Sequence, residues 1–419
     1  MWGIPSLIFL VAFFHRVAPG VVAKELMQAF NATGAIVGLL SATYFYAYAG
    51  LMIPAGVLVD TFGPRRVVTA GGALMGAGTV MMGMATTSAG LFAGRFGVGL
   101  GASVTFVGAL KIGANWFPPR QFGTISALTA TMGVLGSLLA TAPLATLAAA
   151  TGWRGAFWIV GLATLTCSAL CWGLVRDRPD ALADAAAPGP AFRRVLAGAV
   201  EVLRNPHTWP PFLTFFCLYS ATGNLMLWMV PYLRDVYGLE TTDAAFYATA
   251  TSLALLFSAP LTGFLSDHVW KRRKLPYLAL TCCSIVPWAV LLATLGSLPL
   301  GGVYALFFVM GVFGGAFVLT WPIGREVNPP HLAGIAVAVV NLGGFLGAAI
   351  TQGPVGAVLD AGWTGTLAAG ARVYPVAAYR TAFAVCALFV AAAALMALFV
   401  RETRGRNVYG RSSGARVNL

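Results

Sequence analysis

His15 and Arg16 stand side by side inside an apolar run covering residues 4–22. A guanidinium held among acyl chains costs several kcal/mol unless it is paired or hydrated. Arg carries a planar fork that grips a carboxylate or phosphate through two hydrogen bonds. Arg16 is therefore expected to face a water-filled cavity and to clamp an anionic substrate. The competing uses are binding to helix-end carbonyls or reaching out to the membrane interface. His15 is a candidate proton carrier, with an ordinary pKa of about 6.5. A structural imidazole bonded to a neighbouring helix is the alternative. Consecutive helix positions point ~100° apart, so the two side chains cannot serve one spot.

Other polar groups occur in apolar runs further along the chain. Tyr44 and Tyr48 are four residues apart and share a helix face, so both hydroxyls can meet one polar solute. Asn224, Trp228, Trp321, Asn341 and Gln352 are the remaining candidate substrate ligands. An amide in lipid must find partners, either a solute or another helix. The thirteen Asp and Glu residues all fall in loops or at the ends of apolar runs. A mid-membrane carboxylate relay is thus not expected. No His/Cys spacing suggests a metal, no cofactor is called for, and no nucleophile–base set marks an enzyme. The six cysteines, placed in apolar runs, read as small core residues.

These residues need a membrane to position them. Of the 419 residues, 58% are hydrophobic and 9% charged, with mean hydropathy +0.81. A soluble domain carries roughly 25% charged residues. That shortfall excludes a cytosolic enzyme, a nucleic-acid-binding protein and a disordered chain. Twelve apolar runs, each long enough to cross a bilayer, begin at 4–22 and end at 378–400. Among the 26 Lys and Arg, only Lys24, Arg154, Arg234, Arg372 and Arg380 fall on one side, and Arg16 and Arg95 lie within runs. The rest flank the opposite side, so both termini are expected in the cytoplasm. The net charge of +13 reflects this bias rather than an acidic polymer as partner. The expected division is a six-helix bundle over 1–175, a cytoplasmic linker over 176–208, a second bundle over 209–401 and a basic tail over 402–419.

An internal repeat supports two bundles. Gly56-Val-Leu-Val-Asp60 matches Gly263-Phe-Leu-Ser-Asp267. Pro118-Pro119 with Gly123 matches Pro329-Pro330 with Gly334, and Trp153-Arg154 matches Tyr379-Arg380. Parallel repeats about an axis along the membrane normal are a transporter architecture.

The loop Gly56-Val-Leu-Val-Asp60-Thr-Phe-Gly63-Pro-Arg65-Arg66 resembles the signature between the second and third helices of the major facilitator superfamily. Leu91-Phe-Ala-Gly-Arg95-Phe-Gly-Val-Gly99-Leu-Gly101 resembles that family's fourth-helix motif. Within the superfamily, His15-Arg16-Val17-Ala18-Pro19 and the Tyr44–Tyr48 segment are similar to bacterial phagosomal-type nutrient transporters. They are similar also to anion–cation symporters of organic acids, whose first helix has Asp where His15 stands. The resemblance implies an all-α membrane protein of twelve helices in two pseudo-symmetric six-helix bundles. It implies alternating access, with Asp60, Arg65, Arg66, Arg95 and Asp267 as gating residues. The reading is a secondary active or facilitative transporter of a small polar, carboxylate-bearing metabolite across the bacterial inner membrane. It is expected to act as a monomer, with a co-transported proton as a possible partner and no nucleic acid. The rivals are an exporter of drugs or other lipophilic solutes, and a membrane receptor that transports nothing.

Overall fold

A computed structural model describes residues 1–178 and 192–410. The fold is helical, apart from a two-residue hairpin pairing Leu367–Ala368 (β1) with Ala371–Arg372 (β2). Its turn places Ala369 and Gly370 at positive φ, as a tight two-residue hairpin requires.

Among the described residues, twelve helices are long and apolar enough to span a membrane. Span 1 is Gly3–Val21, span 2 Gly34–Phe62, span 3 Pro64–Met84 and span 4 Ser88–Trp116. Span 5 starts at Phe122–Leu139 and continues past a break at Ala140–Thr141. The continuous helical stretch Ala142–Leu174 hides a chain reversal at Gly152, whose φ of 73° and ψ of 159° are not helical. Glycine takes this backbone without the penalty a Cβ would impose. Span 6 therefore returns over 153–174. In the second half, span 7 is Pro206–Tyr237, span 8 Thr241–Val269, span 9 Lys274–Ala293 and span 10 Leu300–Glu326. Span 11 is Pro330–Ala361 and span 12 Val376–Leu398. Among the described residues, two helices lie outside the spans: Ala23–Phe30 after span 1, and Phe192–Arg204 before span 7. The acidic linker residues Asp180 and Asp184, and Arg411 and Arg416 of the tail, lie outside the described residues.

The repeat reappears in the packing. Gly99 of span 4 sits against Tyr44 and Ala47 of span 2, and Gly311 of span 10 sits against Thr251 and Ala254 of span 8. Gly136 of span 5 abuts the Leu10 backbone of span 1, while Gly347 of span 11 abuts Phe216 of span 7. Each of spans 5 and 11 begins on a single 3-10 turn, Pro119–Gln121 and Pro330–Leu332. Proline at those starts fits because the first helical N–H lacks an intrahelical acceptor.

The two halves meet along spans 2 and 11, along spans 1 and 7, and along spans 5 and 8. At the end of the bundle away from the termini, called distal here, contact is backbone to backbone. A Cβ on Gly38 would lie 2.1 Å from the Gln352 carbonyl, and one on Gly356 2.2 Å from that of Gly34. Small residues permit this approach, which is how helices associate where lipid removes the hydrophobic drive. Toward the end carrying the termini, called proximal, contact thins. A Cβ on Gly56, Gly123, Gly263 or Gly334, the repeat glycines, would meet nothing within 4 Å.

Candidate transport site

Span 1 and the helix after it run from Gly3 to Phe30, so Arg16 falls near their middle. Its guanidinium carbon lies 3.7 Å from the Phe13 ring centroid, 4.8 Å from that of Phe345 and 5.2 Å from that of Tyr48. Phe13 and Tyr48 belong to the first half and Phe345 to span 11. Tyr48 and Phe345 stack at 4.4 Å with 3° between planes. Arg16 thus rests in an aromatic cage built by both halves, where ring faces attract a cation. Its Nε approaches the Tyr44 hydroxyl at 3.4 Å, while that hydroxyl donates to the Ala12 carbonyl at 2.9 Å. Among the described residues no carboxylate pairs with Arg16, and the side chain is half-buried. A cation among rings with its fork unclaimed is suited to an anion. Tyr219 of span 7 adjoins the cage, facing Phe45 and Phe345.

His15 points elsewhere, as its neighbouring position on the helix dictates. It is fully buried, with Nε2 3.0 Å from Thr79 Oγ1 of span 3. That hydroxyl already donates to the Met75 carbonyl, so Nε2 is the donating nitrogen and Nδ1 is left without a partner among the described residues. Arg95 lies close by. It too is fully buried, donates to the His15 carbonyl at 2.7 Å and stacks over Tyr44 at 4.9 Å. Among the described residues its Nε and Nη2 have no partner. Arg95 thus packs over the Tyr44 ring, while Arg16 approaches the Tyr44 hydroxyl.

The other sequence-picked residues scatter over three sites. Asn224 donates to Thr351, and Gln352 donates to the Gly223 carbonyl. Both are buried between spans 7 and 11, with Asn224 Oδ1 and Gln352 Oε1 unpartnered. Trp228, fully buried, meets Tyr374 edge-on in the distal layer. Trp321 donates to Asn341 at 3.0 Å, and the Asn341 amide nitrogen lies 3.8 Å from Met52 Sδ. Trp321 lines a proximal cavity of about 370 Å³ together with Gly263, Asp267, Arg273 and Arg325.

The gating candidates bond within their own halves. Asp60 pairs with Lys111 at 2.7 Å. The Arg65 backbone N–H donates to Asp177 at 2.6 Å, its side chain donates to the Trp172 carbonyl, and Arg66 is exposed. Asp267 pairs with Arg273, which also reaches Glu326. Asp267 falls in a π-helical turn, Leu265–Val269, a rare geometry common at functional sites.

Among the described residues, the ion pairs that cross between the halves are distal, and sequence reasoning did not single them out. Lys24 pairs with Asp235 at 2.6 Å, with both side chains nearly inaccessible, and also donates to the Arg372 carbonyl. Glu25 accepts from Arg234 at 2.8 Å. Asp360 of span 11 accepts the first N–H groups of span 2, those of Gly34 and Ala35, at 2.8 Å each. It also takes Arg372 at 3.0 Å and the Tyr374 hydroxyl at 2.7 Å. A carboxylate at a helix N-terminus satisfies donors with no intrahelical acceptor and favours the dipole. Burial holds the Lys24 ammonium below its ordinary pKa, against the pull of Asp235. The signal in the sequence was the placement of opposite charges at the ends of spans that need not be adjacent in the chain.

A family model described as Major Facilitator Superfamily matches residues 6–352. The chain belongs to this superfamily. Among its relatives is a probable sulfoacetate transporter, SauU, of Cupriavidus necator, 25% identical over 64% of this chain and 65% of the relative's length. A probable galactarate/D-glucarate transporter, GudP, of Bacillus subtilis is 23% identical over 86% of each chain. The membrane sensor protein UhpC of Salmonella typhimurium is 25% identical over 86% of this chain and 85% of its own. A bacterial homologue of the human lysosomal transporter Spinster, solved in an inward-facing and occupied conformation, superposes with TM-score 0.80. It is 19% identical, and the match covers 95% of this chain and 96% of that one, so it attests the superfamily fold. The chain is a multi-pass membrane protein of transporter type, and the relatives named are transporters and a sensor rather than enzymes.

Proposed function

We propose that the chain moves a small organic anion, bearing a carboxylate or sulfonate, across the bacterial inner membrane by alternating access. The observation that carries this is Arg16: a half-buried guanidinium near mid-depth, unclaimed by any described carboxylate and caged by rings from both halves. A fork with free donors recognises an oxyanion in two directions at once. Relatives named for sulfoacetate and for galactarate or glucarate transport agree with an acidic solute. Because Phe345 comes from the second half, filling the fork bears on how the halves sit together.

With the termini in the cytoplasm, the distal end faces outward. Its cross-half ion pairs then form a closed outer gate, and the proximal cavity opens inward. Asp60–Lys111 and Asp267–Arg273 belong to the gate that remakes itself at the other end. His15 carries a co-transported proton in this reading. Its Nδ1 lacks a partner, and a proton there places a second cation beside Arg95.

The test is counterflow in proteoliposomes loaded with sulfoacetate, glucarate, small carboxylic acids or amino acids. Exchange of labelled anion with at least one of these is expected, and exchange of none contradicts transport. The relationship to UhpC favours a second reading, a sensor that binds an anion without moving it. Thermal stabilisation by an anion together with absent counterflow would select that reading.

A further inference from the structure

The helix Phe192–Arg204 is divided into three faces. Val195, Gly198, Ala199 and Val202 are buried. Ala199 and Val202 pack on Ala336 and Val339 of span 11, with Leu332, Ile335 and, from span 2, Ile53 alongside. The helix therefore wedges between the proximal parts of spans 2 and 11, the two spans whose distal halves touch backbone to backbone. Beside the buried face runs a second apolar stripe, and this one is exposed. Phe192 is 52% exposed, Leu196 51%, Val200 41% and Leu203 37%. On a helical wheel these four fall within one arc of about 80°, next to the buried arc. Arg193, Arg204, Glu201 and Arg194 fill the remainder, three positive charges against one negative.

Four large apolar side chains in a row on a helix at the level of the span ends have no reason to face water. Their charged neighbours exclude burial deep in hydrocarbon. An amphipathic helix with an apolar side and a basic side lies in the membrane interface. Arg193 and Arg204 border the apolar stripe and line a groove of about 510 Å³ with Leu196, Ala197, Val200 and Glu201. Their positive excess complements an anionic headgroup, and each basic residue near such a surface adds attraction. We propose that Phe192–Arg204 is a lipid-docking helix. Its Phe192–Leu203 stripe inserts among the acyl chains of the proximal leaflet, and Arg193 and Arg204 bind anionic phospholipid phosphates there. Anchored in this way, the helix holds its wedge between spans 2 and 11, so the leaflet's charge stabilises the proximal-open arrangement. The inference does not depend on which solute the chain carries.

Hydrogen–deuterium exchange of the full-length protein tests this in nanodiscs of phosphatidylcholine alone and of phosphatidylcholine with phosphatidylglycerol. The expected result is several-fold slower amide exchange over 192–204 in the anionic discs, with peptides of span 12 unchanged. R193Q/R204Q is expected to erase the difference between lipids. L196E/V200E, which leaves the buried face intact, is expected to raise exchange over 192–204 in both lipids. Equal exchange in the two lipids for the unaltered protein overturns the headgroup contact. Unchanged exchange in L196E/V200E overturns insertion of the stripe.

Discussion

At the scale of single residues, the account turns on what Arg16 lacks. Lys24, Arg234, Arg273 and Arg372 each have a carboxylate, and Arg16 has none among the described residues, resting on rings and on the Tyr44 hydroxyl. Cation–π contacts are worth about 0.5–2 kcal/mol each. They hold the guanidinium in place without consuming its donors. Tyr44 orders the site from the other side, because its hydroxyl donates to Ala12 and presents its oxygen toward Arg16. Tyr44→Phe is expected to weaken binding of the anion about fivefold, as losing one net hydrogen bond of about 1 kcal/mol would. Calorimetric titration of the purified variant checks this. His15→Gln is expected to remove the dependence of uptake on an imposed proton gradient while leaving counterflow intact. An unaltered gradient dependence would make His15 a helix-bonding residue only. Arg16 was legible in the sequence because a lone cation in an apolar run demands an explanation. Its cage was not, because Phe345 lies more than three hundred residues away and phenylalanines in spans are ordinary. Asn224 and Gln352 illustrate the opposite case. Their amides stood out, yet their donors are used between spans 7 and 11.

At the scale of helices, small residues decide which ends can touch. Gly38 and Gly356 close spans 2 and 11 distally. Gly38→Leu places a side chain against the Gln352 backbone, and overpacking of this kind costs typically about 1–3 kcal/mol. The expected effect is a shift toward a distal-open arrangement, read as faster labelling of an Ala35→Cys reporter by an impermeant maleimide. The Lys24–Asp235 pair predicts the same shift by another route. Removing one partner of a buried pair leaves a charge uncompensated, at a cost of about 3–5 kcal/mol. Lys24→Met should therefore speed labelling, and adding Asp235→Asn should slow it again. The spans themselves were plain from apolar length. The reversal at Gly152 falls directly before Trp153-Arg154, the pair that repeats as Tyr379-Arg380 at the start of span 12. The distal latch was not plain, since charges at loop ends do not announce which of twelve ends they will meet.

At the scale of the whole molecule, pseudo-symmetry is written into both sequence and packing. The same small-residue contact joins spans 2 and 4 and spans 8 and 10. Halves that are alike can exchange which end they close, and the repeat glycines Gly56 and Gly334 lie in open space proximally while their spans are joined distally. A Gly56→Cys/Gly334→Cys pair is expected to cross-link little in the present arrangement and readily once the distal end opens. Cross-linking yields in the Gly38→Leu background check it. The central claim concerns the solute rather than the swing. Its most direct measurement is calorimetric titration of a small organic acid, chosen by thermal stabilisation of the unaltered protein, into that protein and into Arg16→Ala. Loss of a charge-assisted fork worth about 1.5–3 kcal/mol predicts affinity at least tenfold weaker in Arg16→Ala, with melting in the absence of ligand little changed. Equal affinity in the two proteins would contradict the assignment of Arg16 as the anion's ligand.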